Sequence, residues 1–420
     1  MIVFTVMISM KQYDVVVIGA GPAGFSCAIH AAIPERHILL LEKNRSPGNK
    51  LLRSGSGQCN FTHSGEIHDF LSHYGSHGKF LKPALFSFSN QALIAFFARH
   101  GIIAETDGNG KIFPQTRKSA DVLALLLNEC RQQGIDLRCS ETVTRVARIT
   151  EGFEIETPEA LYHSTVLVIT TGGASYPETG STGDGYRLSA SLGQPVTGIA
   201  PALTPLRIRN FPFAGLSGIS FERLHFSVWR SGKKIADSAG DVLFTHHGLS
   251  GPGILDASRD IQSGDVIKLS FVGDLTRREF AADLTRRAEE NRTRQLTTLL
   301  ASYPIPERLN RKLLALSCIP VDLTCAHFSA AQRSKLIANC MEFPLTVSAL
   351  GDFSVAMVTR GGVALEHVNP KTMESKILPD LYFAGEVLDI DGDTGGYNIQ
   401  AAFSTGYLAA VSIRKQWETR

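Results

Sequence analysis

Apolar residues along this chain fall into two rhythms, and their alternation outlines the elements. Val15-Val-Val-Ile18 is a short β-branched run ending at Gly19, as expected of a strand buried on both faces of a parallel sheet. Helix-like spacing follows from about Pro22 to Ala32, and Pro34 helps to end it. His37 to Leu41 is a second apolar strand, finishing on Glu42. Strand, turn, helix and strand thus occupy about thirty residues, the size of one βαβ unit.

The pattern then loosens into a glycine- and serine-rich loop from Gly48 to Asn60. Phe80 to His100 reads as helical, and Asp107 to Gly110 is a turn before Lys111–Pro114. Ser119 is the expected cap of a helix reaching Cys130, which Gly134 stops. Strands are expected around Ile135–Cys139, Thr142–Ile149, Phe153–Thr157 and Val166–Thr170. The last runs into Thr170-Thr-Gly-Gly-Ala174, a long polar loop from Ser175 to Gly185, and a helix from Gly185 to Leu192.

At Gln194-Pro195 the texture changes. Proline turns and short alternating strands, such as Leu224–Arg230 and Val266–Phe271, predict a small β-rich domain up to about Asp274. Two copies of Gly-Leu-Ser-Gly, at Gly215–Gly218 and Gly248–Gly251, read as turns. Helical spacing returns over Leu275–Leu300, Asn310–Leu316 and Ala330–Asn339. The final stretch goes back to the pattern of the first, with a strand at Phe353–Val358 and another from Leu381 to Glu386 that ends in glycine. A loop with three aspartates and three glycines (Asp389–Gly396) and a helix from Tyr397 to Arg414 complete it. The expected division is 11–194 with 356–420 as one α/β domain, 195–274 with 341–355 as a β-barrel-like insert, and 275–340 as a helical subdomain.

The first turn carries specific chemistry. Gly19, Gly21 and Gly24 stand in G-x-G-x-x-G spacing between strand and helix. The first permits a tight turn, the second lets main chain approach a pyrophosphate, and the third lets helix pack on strand. The helix N-terminus offers free N–H groups and a partial positive charge to phosphate. Glu42, eighteen residues after Gly24, stands where an acid accepts from ribose hydroxyls. Lys50 and Arg53 in the following loop could meet phosphate.

Composition narrows the class. Of 420 residues, 43% are hydrophobic and 20% charged, which fits a globular chain of two or three domains. A formal net charge of +2 gives no electrostatic reason to expect nucleic acid or an anionic membrane as partner. The arginines of residues 275–300 alternate with acids, as on a solvated helix face. Seven scattered cysteines without a C-x-x-C pair argue against a disulfide framework and a zinc ribbon. The apolar leader MIVFTVMISM lacks a basic flank, so it reads as a terminus upstream of the first strand, not as a cleavable signal. A soluble, cytoplasmic protein without membrane or metal is expected.

Several blocks together resemble the BaiN-like flavoproteins, also called the YhiN or aminoacetone-oxidase-like family. They are GAGPAG at Gly19–Gly24, GNKLLRSGSGQCNFT at Gly48–Thr62, TTGGASYPETGSTGDGY at Thr170–Tyr186, LFTHHGLSGPGIL at Leu243–Leu255 and the long run Gly361–Tyr407. The resemblance spans nearly the whole chain. It implies a Rossmann-like FAD-binding domain of the glutathione-reductase class, an inserted β-barrel-like domain and a small helical subdomain. It also implies FAD held between the first and last segments. The cofactor-binding set that follows begins with Gly19, Ala20, Gly21, Pro22, Ala23 and Gly24, then Glu42 and Lys43. The second loop adds Lys50, Ser54, Gly57 and Asn60, and further along come Val143, Thr171, Gly172 and Gly173. Gly385, Glu386 and Asp393 are expected near the ribityl chain and pyrophosphate. Gly395, Gly396, Tyr397, Asn398 and Ile399 open the helix expected to face the flavin pyrimidine edge. One departure stands out: relatives usually have Gly-Gly-Gly-Arg-Cys-Asn where this chain has Gly55-Ser-Gly-Gln-Cys-Asn60, and Gln58 carries no charge.

FAD also suits the residues better than NAD as resident cofactor, because strand, glycines and helix N-terminus recur at the far end of the chain. A second G-x-G-x-x-G after a strand is not found, so NAD(P)H is expected only as a transient donor. Three functions remain open. The first is an NAD(P)H-dependent reductase of an activated C=C bond in a small organic substrate. The second is a flavin-dependent oxidase of an amine or amino-ketone, and the third an RNA-associated flavoprotein. Cys59 reads as a packed thiol or a reactive one near the flavin, and Tyr176 and Tyr397 as proton donors or packing. His246-His247 reads as a pair on a strand pointing to opposite faces. No catalytic residue is assigned from sequence.

Overall fold

The computed structural model describes residues 10–419. The apolar leader before Met10, and with it the reading of that leader, lies outside the described residues. The chain forms two compact units: the described residues up to Pro201 with those from Ala356 on, and Ala202–Val355.

The first unit is built on a seven-stranded sheet. Its path runs Asp136–Arg138, Ile38–Leu41, Met10–Ile18, Leu161–Ile169, Gly152–Glu156, Arg145–Ile149. The first four strands are mutually parallel, and the last two form an antiparallel hairpin with the start of Leu161–Ile169. The end of that strand pairs instead with Leu381–Phe383, again in parallel. Val15, Val16, Val17, Leu39, Leu40, Val166, Leu167 and Val168 are fully buried, which is why these strands read as unbroken apolar runs. The first helix, Pro22–Ala31, packs on the C-terminal helix, Tyr397–Thr419, through small residues. A Cβ at Gly406 would stand 2.3 Å from the Ala23 carbonyl oxygen, and the Ser26 hydroxyl donates to the Phe403 carbonyl (2.7 Å).

The structure corrects several expectations. The Gly48–Asn60 loop contains a short helix, Asn49–Arg53, and a 3₁₀ turn, Ser54–Gly57. Phe80–His100 is two helices, Gly78–Ser87 and Asn90–Arg99. Ser89 breaks them by accepting from the Ala92 N–H, while Phe88 stays buried and hides the break from periodicity. Ser119 begins its helix without capping it: Lys118 is the N-cap residue and the Ser119 hydroxyl donates to the Leu52 carbonyl (2.9 Å). Phe353–Met357 is not extended, because Asp352 accepts from the Ser354 N–H and turns the chain; the strand is Val358–Arg360. Among the described residues no helix is long and apolar enough to cross a membrane.

The second unit contains a closed six-stranded barrel. Its order is Leu206–Ile208, Gly248–Ser250, Lys233–Phe244, Ser220–Arg230, Val266–Ser270, Phe343–Leu350. The second Gly-Leu-Ser-Gly is therefore a barrel strand, not a turn; three residues are too few for alternation to register. Phe213, Phe226, Phe244 and Phe271 fill the interior, with Phe213 and Phe244 stacked at 5.1 Å. Helices Arg277–Glu290, Leu296–Leu300, Glu307–Leu316 and Ala330–Met341 pack on the same core. Two of them start at capping boxes, Thr276 with Glu279 and Ser329 with Gln332. His246 and His247 sit exposed in the turn between two barrel strands, held by the Thr245 hydroxyl, and not on a strand.

Asp265 is a buried carboxylate of this unit. Its carboxylate receives two hydrogen bonds from Arg230 (2.9 Å each) and one from the Gln262 N–H (2.8 Å). The Arg230 guanidinium holds its carboxyl below the usual carboxylate range. A lowered folded-state pKa stabilises the protein above the unfolded value, about 3.9, and the gain is lost as pH falls through the folded value. Asp265→Asn is therefore expected to lower the melting temperature at pH 7 and to lower it less near pH 2. An equal deficit at both pH values would rule out the charge as the cause.

Candidate functional site

Four parallel strands end at one level. The pairings Ile18 with Leu41, Ile18 with Ile169 and Phe383 with Ile169 align Gly19, Glu42, Thr170 and Ala384 along the carboxyl edge of the sheet. That edge is where open α/β sheets bind ligands. The first turn is fixed tightly: Gly19 N–H donates to the Leu41 carbonyl (2.8 Å), and the Thr170 hydroxyl bonds the Ile18 and Gly19 carbonyls. A Cβ at Gly24 would lie 1.9 Å from the Gly19 oxygen, whereas one at Gly21 would meet nothing within 4 Å. The same turn is closed toward the protein and open on its other side. No side chain caps the helix that begins at Pro22.

Glu42 is buried at this edge. One oxygen accepts from the Ala20 N–H (3.1 Å) and the other from the Asn44 backbone and amide groups (2.9 and 2.7 Å). These leave carboxylate lone pairs for a further donor. Val143 is buried close by in sequence, after Glu141, whose N–H donates to the Glu42 carbonyl. Lys43 turns into an ion pair with Asp184 (2.5 Å) and a bond to Thr182. Arg53 pairs with Glu178 (2.5 Å) and Lys50 with Glu386 (2.6 Å). The two basic residues expected to meet phosphate are thus committed to carboxylates in this structure.

Thr359 organises the second glycine segment, and sequence reasoning missed it. Its hydroxyl accepts from Ala174 N–H (2.8 Å) and Ser175 N–H (3.1 Å), and its own N–H donates to Glu386 (2.9 Å). A Cβ at Gly173 would collide with Thr359 and Glu386. Thr171 and Gly172 complete this segment, and the buried Thr171 hydroxyl has no partner. Gly385 brings the C-terminal segment against the start of the first helix: its Cβ would lie 2.8 Å from that of Ala23. The Ser54 hydroxyl donates to Leu51, Gly57 takes a left-handed conformation, and Asn60 follows with its side-chain oxygen buried and unpartnered. Cys59, between them, is fully buried and burial pushes its thiol up to about 12, so it is a packed thiol.

The loop before the C-terminal helix forms a second cluster. Asn398 clamps it, accepting from Gly392 N–H (2.7 Å) and donating to the Gly392 and Asp393 carbonyls. Gly395 and Gly396 take left-handed conformations, and a Cβ at Gly396 would meet the Thr62 carbonyl at 2.5 Å. Tyr397 lies between two imidazoles, stacked at 3.9 Å on His73 and 5.1 Å on His63. The buried Tyr74 hydroxyl donates to the Tyr397 carbonyl (2.8 Å), and His73 Nδ1 lies 2.8 Å from Asp393. Ile399 is half-buried in the helix's first turn. Neither histidine was legible, since His73 finds its carboxylate 320 positions away.

These residues fit FAD. An open face at Gly21, an uncapped helix start and two orphaned buried oxygens, on Asn60 and Thr171, are the features a long dinucleotide needs filled.

Comparison with known proteins agrees with this geometry. Residues 13–412 match the family described as "HI0933-like protein Rossmann domain". The "3-dehydro-bile acid delta(4,6)-reductase" of Clostridium scindens is 30% identical over 406 residues, covering 94% of this chain and 97% of that protein. The "Ribosomal RNA dihydrouridine synthase" of Escherichia coli is 30% identical over 405 residues, covering 96% and 98%. Among solved structures, the 3-ketosteroid-delta4-(5alpha)-dehydrogenase of Rhodococcus jostii superposes with a TM-score of 0.50 at 13% identity, over 98% of this chain and 99% of that one. At that identity the likeness concerns the fold alone.

Proposed function

The chain belongs to the HI0933-like family and is an FAD-dependent oxidoreductase, and from that premise we propose that it reduces a C=C bond conjugated to a carbonyl. The observation that carries this reading is the near-complete span of the relatives. A delta(4,6)-reductase saturates C=C bonds, and making dihydrouridine from uridine saturates one beside a carbonyl. A small organic substrate, NAD(P)H as transient donor and the candidate binding residues all belong to the proposal.

In this reading the first helix, through Gly21, Ala23 and Gly24, holds the pyrophosphate, and Glu42 holds the adenosine ribose. Asn60 and Thr171 offer the cofactor their orphaned oxygens. The N–H groups of Tyr397, Asn398 and Ile399, at the start of the C-terminal helix, would meet the pyrimidine edge and would offer it partial positive charge. Bound flavin supplies the hydride chemistry; the chain supplies orientation and charge. Lys50, paired with Glu386, tethers the second loop to the C-terminal segment.

A uracil base in RNA is the second reading, favoured by the Escherichia coli relative. Against it, several arginines of the helical segment are engaged: Arg286 with Asp283 and Glu290, Arg287 with Asp283, and Arg311 with Glu307.

The deciding experiment mixes the yellow protein anaerobically with NADH or NADPH, then adds 2-cyclohexenone, a steroid 4-en-3-one or a uridine-containing transcript. Bleaching by a nicotinamide followed by recolouring with an enone is expected. Recolouring by the transcript alone selects the RNA reading. A flavin that neither nicotinamide bleaches, but an amine does, replaces the reductase with an oxidase.

A further inference from the structure

We infer that His73, oriented by Asp393, is the acid that delivers the proton in this reduction. The inference rests on the reductase reading and names its proton source. Saturating a conjugated C=C bond adds a hydride to the carbon β to the carbonyl and a proton to the α carbon. Bound flavin would supply the hydride. The proton needs a group that is held in place, is able to give up a proton and is rechargeable from solvent.

Most polar groups around the two clusters fail one of these requirements. Burial raises the Tyr74, Tyr186 and Tyr176 hydroxyls above their ordinary values, and Tyr74 already donates to the Tyr397 carbonyl. The Tyr397 ring is buried between two imidazoles. Cys59 is sealed in the core, and Lys50 is held by Glu386. His63 has both ring nitrogens on carbonyl oxygens, Ser64 at 2.9 Å and Asn109 at 3.0 Å, so it is committed at both ends.

His73 meets all three. Its Nδ1 is 2.8 Å from the Asp393 carboxylate, its ring lies flat on Tyr397, and its carbonyl accepts from the Asp393 N–H (2.9 Å). The carboxylate and the Tyr397 ring together fix the imidazole plane, and the carboxylate takes Nδ1–H, which leaves Nε2 as the nitrogen for a substrate. Asp393 is the positioning residue: its carboxylate holds the ring and takes Nδ1–H. The side chain is 35% exposed, so solvent can restore the proton. Its support, Tyr397, is the first residue of the helix proposed to face the flavin. In the step itself the Nε2–H bond of the imidazolium breaks, a C–H bond forms at the α carbon, and neutral imidazole remains until water reprotonates it.

His73→Phe keeps a flat ring on Tyr397 and removes the proton. It is expected to bind FAD with wild-type affinity and spectrum and to be photoreduced normally. Its reoxidation by 2-cyclohexenone should slow by about 10²–10⁴-fold and lose the solvent deuterium isotope effect seen in the wild type. Asp393→Asn should slow the same step about tenfold, through loss of the carboxylate that orients the ring. A readout without turnover is available: enone added to the oxidised holoprotein should shift the histidine resonance that is missing from His73→Phe. Wild-type reoxidation by the Phe variant, or loss of FAD from it, overturns the inference. Failure of the wild-type reduced protein to be reoxidised by any enone or uridine probe overturns the reductase reading first, and this proposal with it.

Discussion

Gly24→Ala is expected to destabilise the protein and release its cofactor together, while Gly21→Ala keeps the fold and loses only the cofactor. A Cβ at position 24 would stand 1.9 Å from the Gly19 oxygen and 2.8 Å from the Thr170 hydroxyl. Neither can retreat: the Thr170 hydroxyl bonds that same oxygen at 2.8 Å, and Gly19 N–H is tied to Leu41. The first helix must move off the first strand, a cost of about 1–3 kcal/mol by analogy with overpacked cores. Gly21 is the opposite case. Its φ of −93° suits any residue, and its Cβ would meet nothing within 4 Å, so apoprotein stability should change by less than ~0.5 kcal/mol. The added methyl instead occupies the face where pyrophosphate would approach, and FAD should bind at least about a hundredfold more weakly, close to 2.7 kcal/mol. Thermal melts of apoprotein, with titration of the flavin visible band, separate the two. Equal melting of both variants would refute the packing argument, and wild-type FAD affinity in Gly21→Ala would refute the phosphate site.

The first turn was legible because its information is local. Strand, three glycines, helix and acid follow one another within thirty residues, and each glycine answers a constraint its neighbours impose. The far end was legible for the same reason, since Leu381–Phe383 runs straight into Gly385 and the loop before Tyr397. What failed to show was pairing at a distance. Lys50 and Arg53 read as open cations because their carboxylates, Glu386 and Glu178, lie far along the chain. Thr359 looked like strand filler, yet its hydroxyl gathers two N–H groups of the second glycine segment. Local breaks also hid wherever burial continued across them: Phe88 is as apolar as a helix interior, and only the Ser89 cap marks the stop. Gly248–Ser250 is extended because two barrel neighbours pair with it, not because its own residues demand it.

Gln400→Leu should rank with the glycine changes, through a wholly polar route. Gln400 is fully buried in the C-terminal helix. Its carbonyl oxygen accepts from the Thr62 hydroxyl (2.6 Å), and its amide donates to the Phe88 carbonyl (3.0 Å) and the Ser404 hydroxyl (2.9 Å). Leucine has similar volume but leaves the Thr62 hydroxyl unpartnered and the Phe88 carbonyl with Ser404 as its remaining donor. Orphaned buried groups of this kind cost about 1–3 kcal/mol each. Thr62 is also the residue whose carbonyl abuts Gly396 and whose neighbour His63 stacks on Tyr397. Loosening it should therefore weaken FAD as well as the fold. Gln400→Glu separates charge from shape. At pH 7 a buried carboxylate would face the Phe88 carbonyl where an amide donated, which is worse than leucine. Burial and that carbonyl raise the new acid's folded pKa above its unfolded value, so its deficit relative to wild type should shrink as the pH falls and the acid is protonated. The leucine deficit should not change over the same range. Parallel melts of the two variants at pH 7 and pH 5 test this, and identical pH dependence would show that packing, not the hydrogen-bond network, holds Thr62 to the helix.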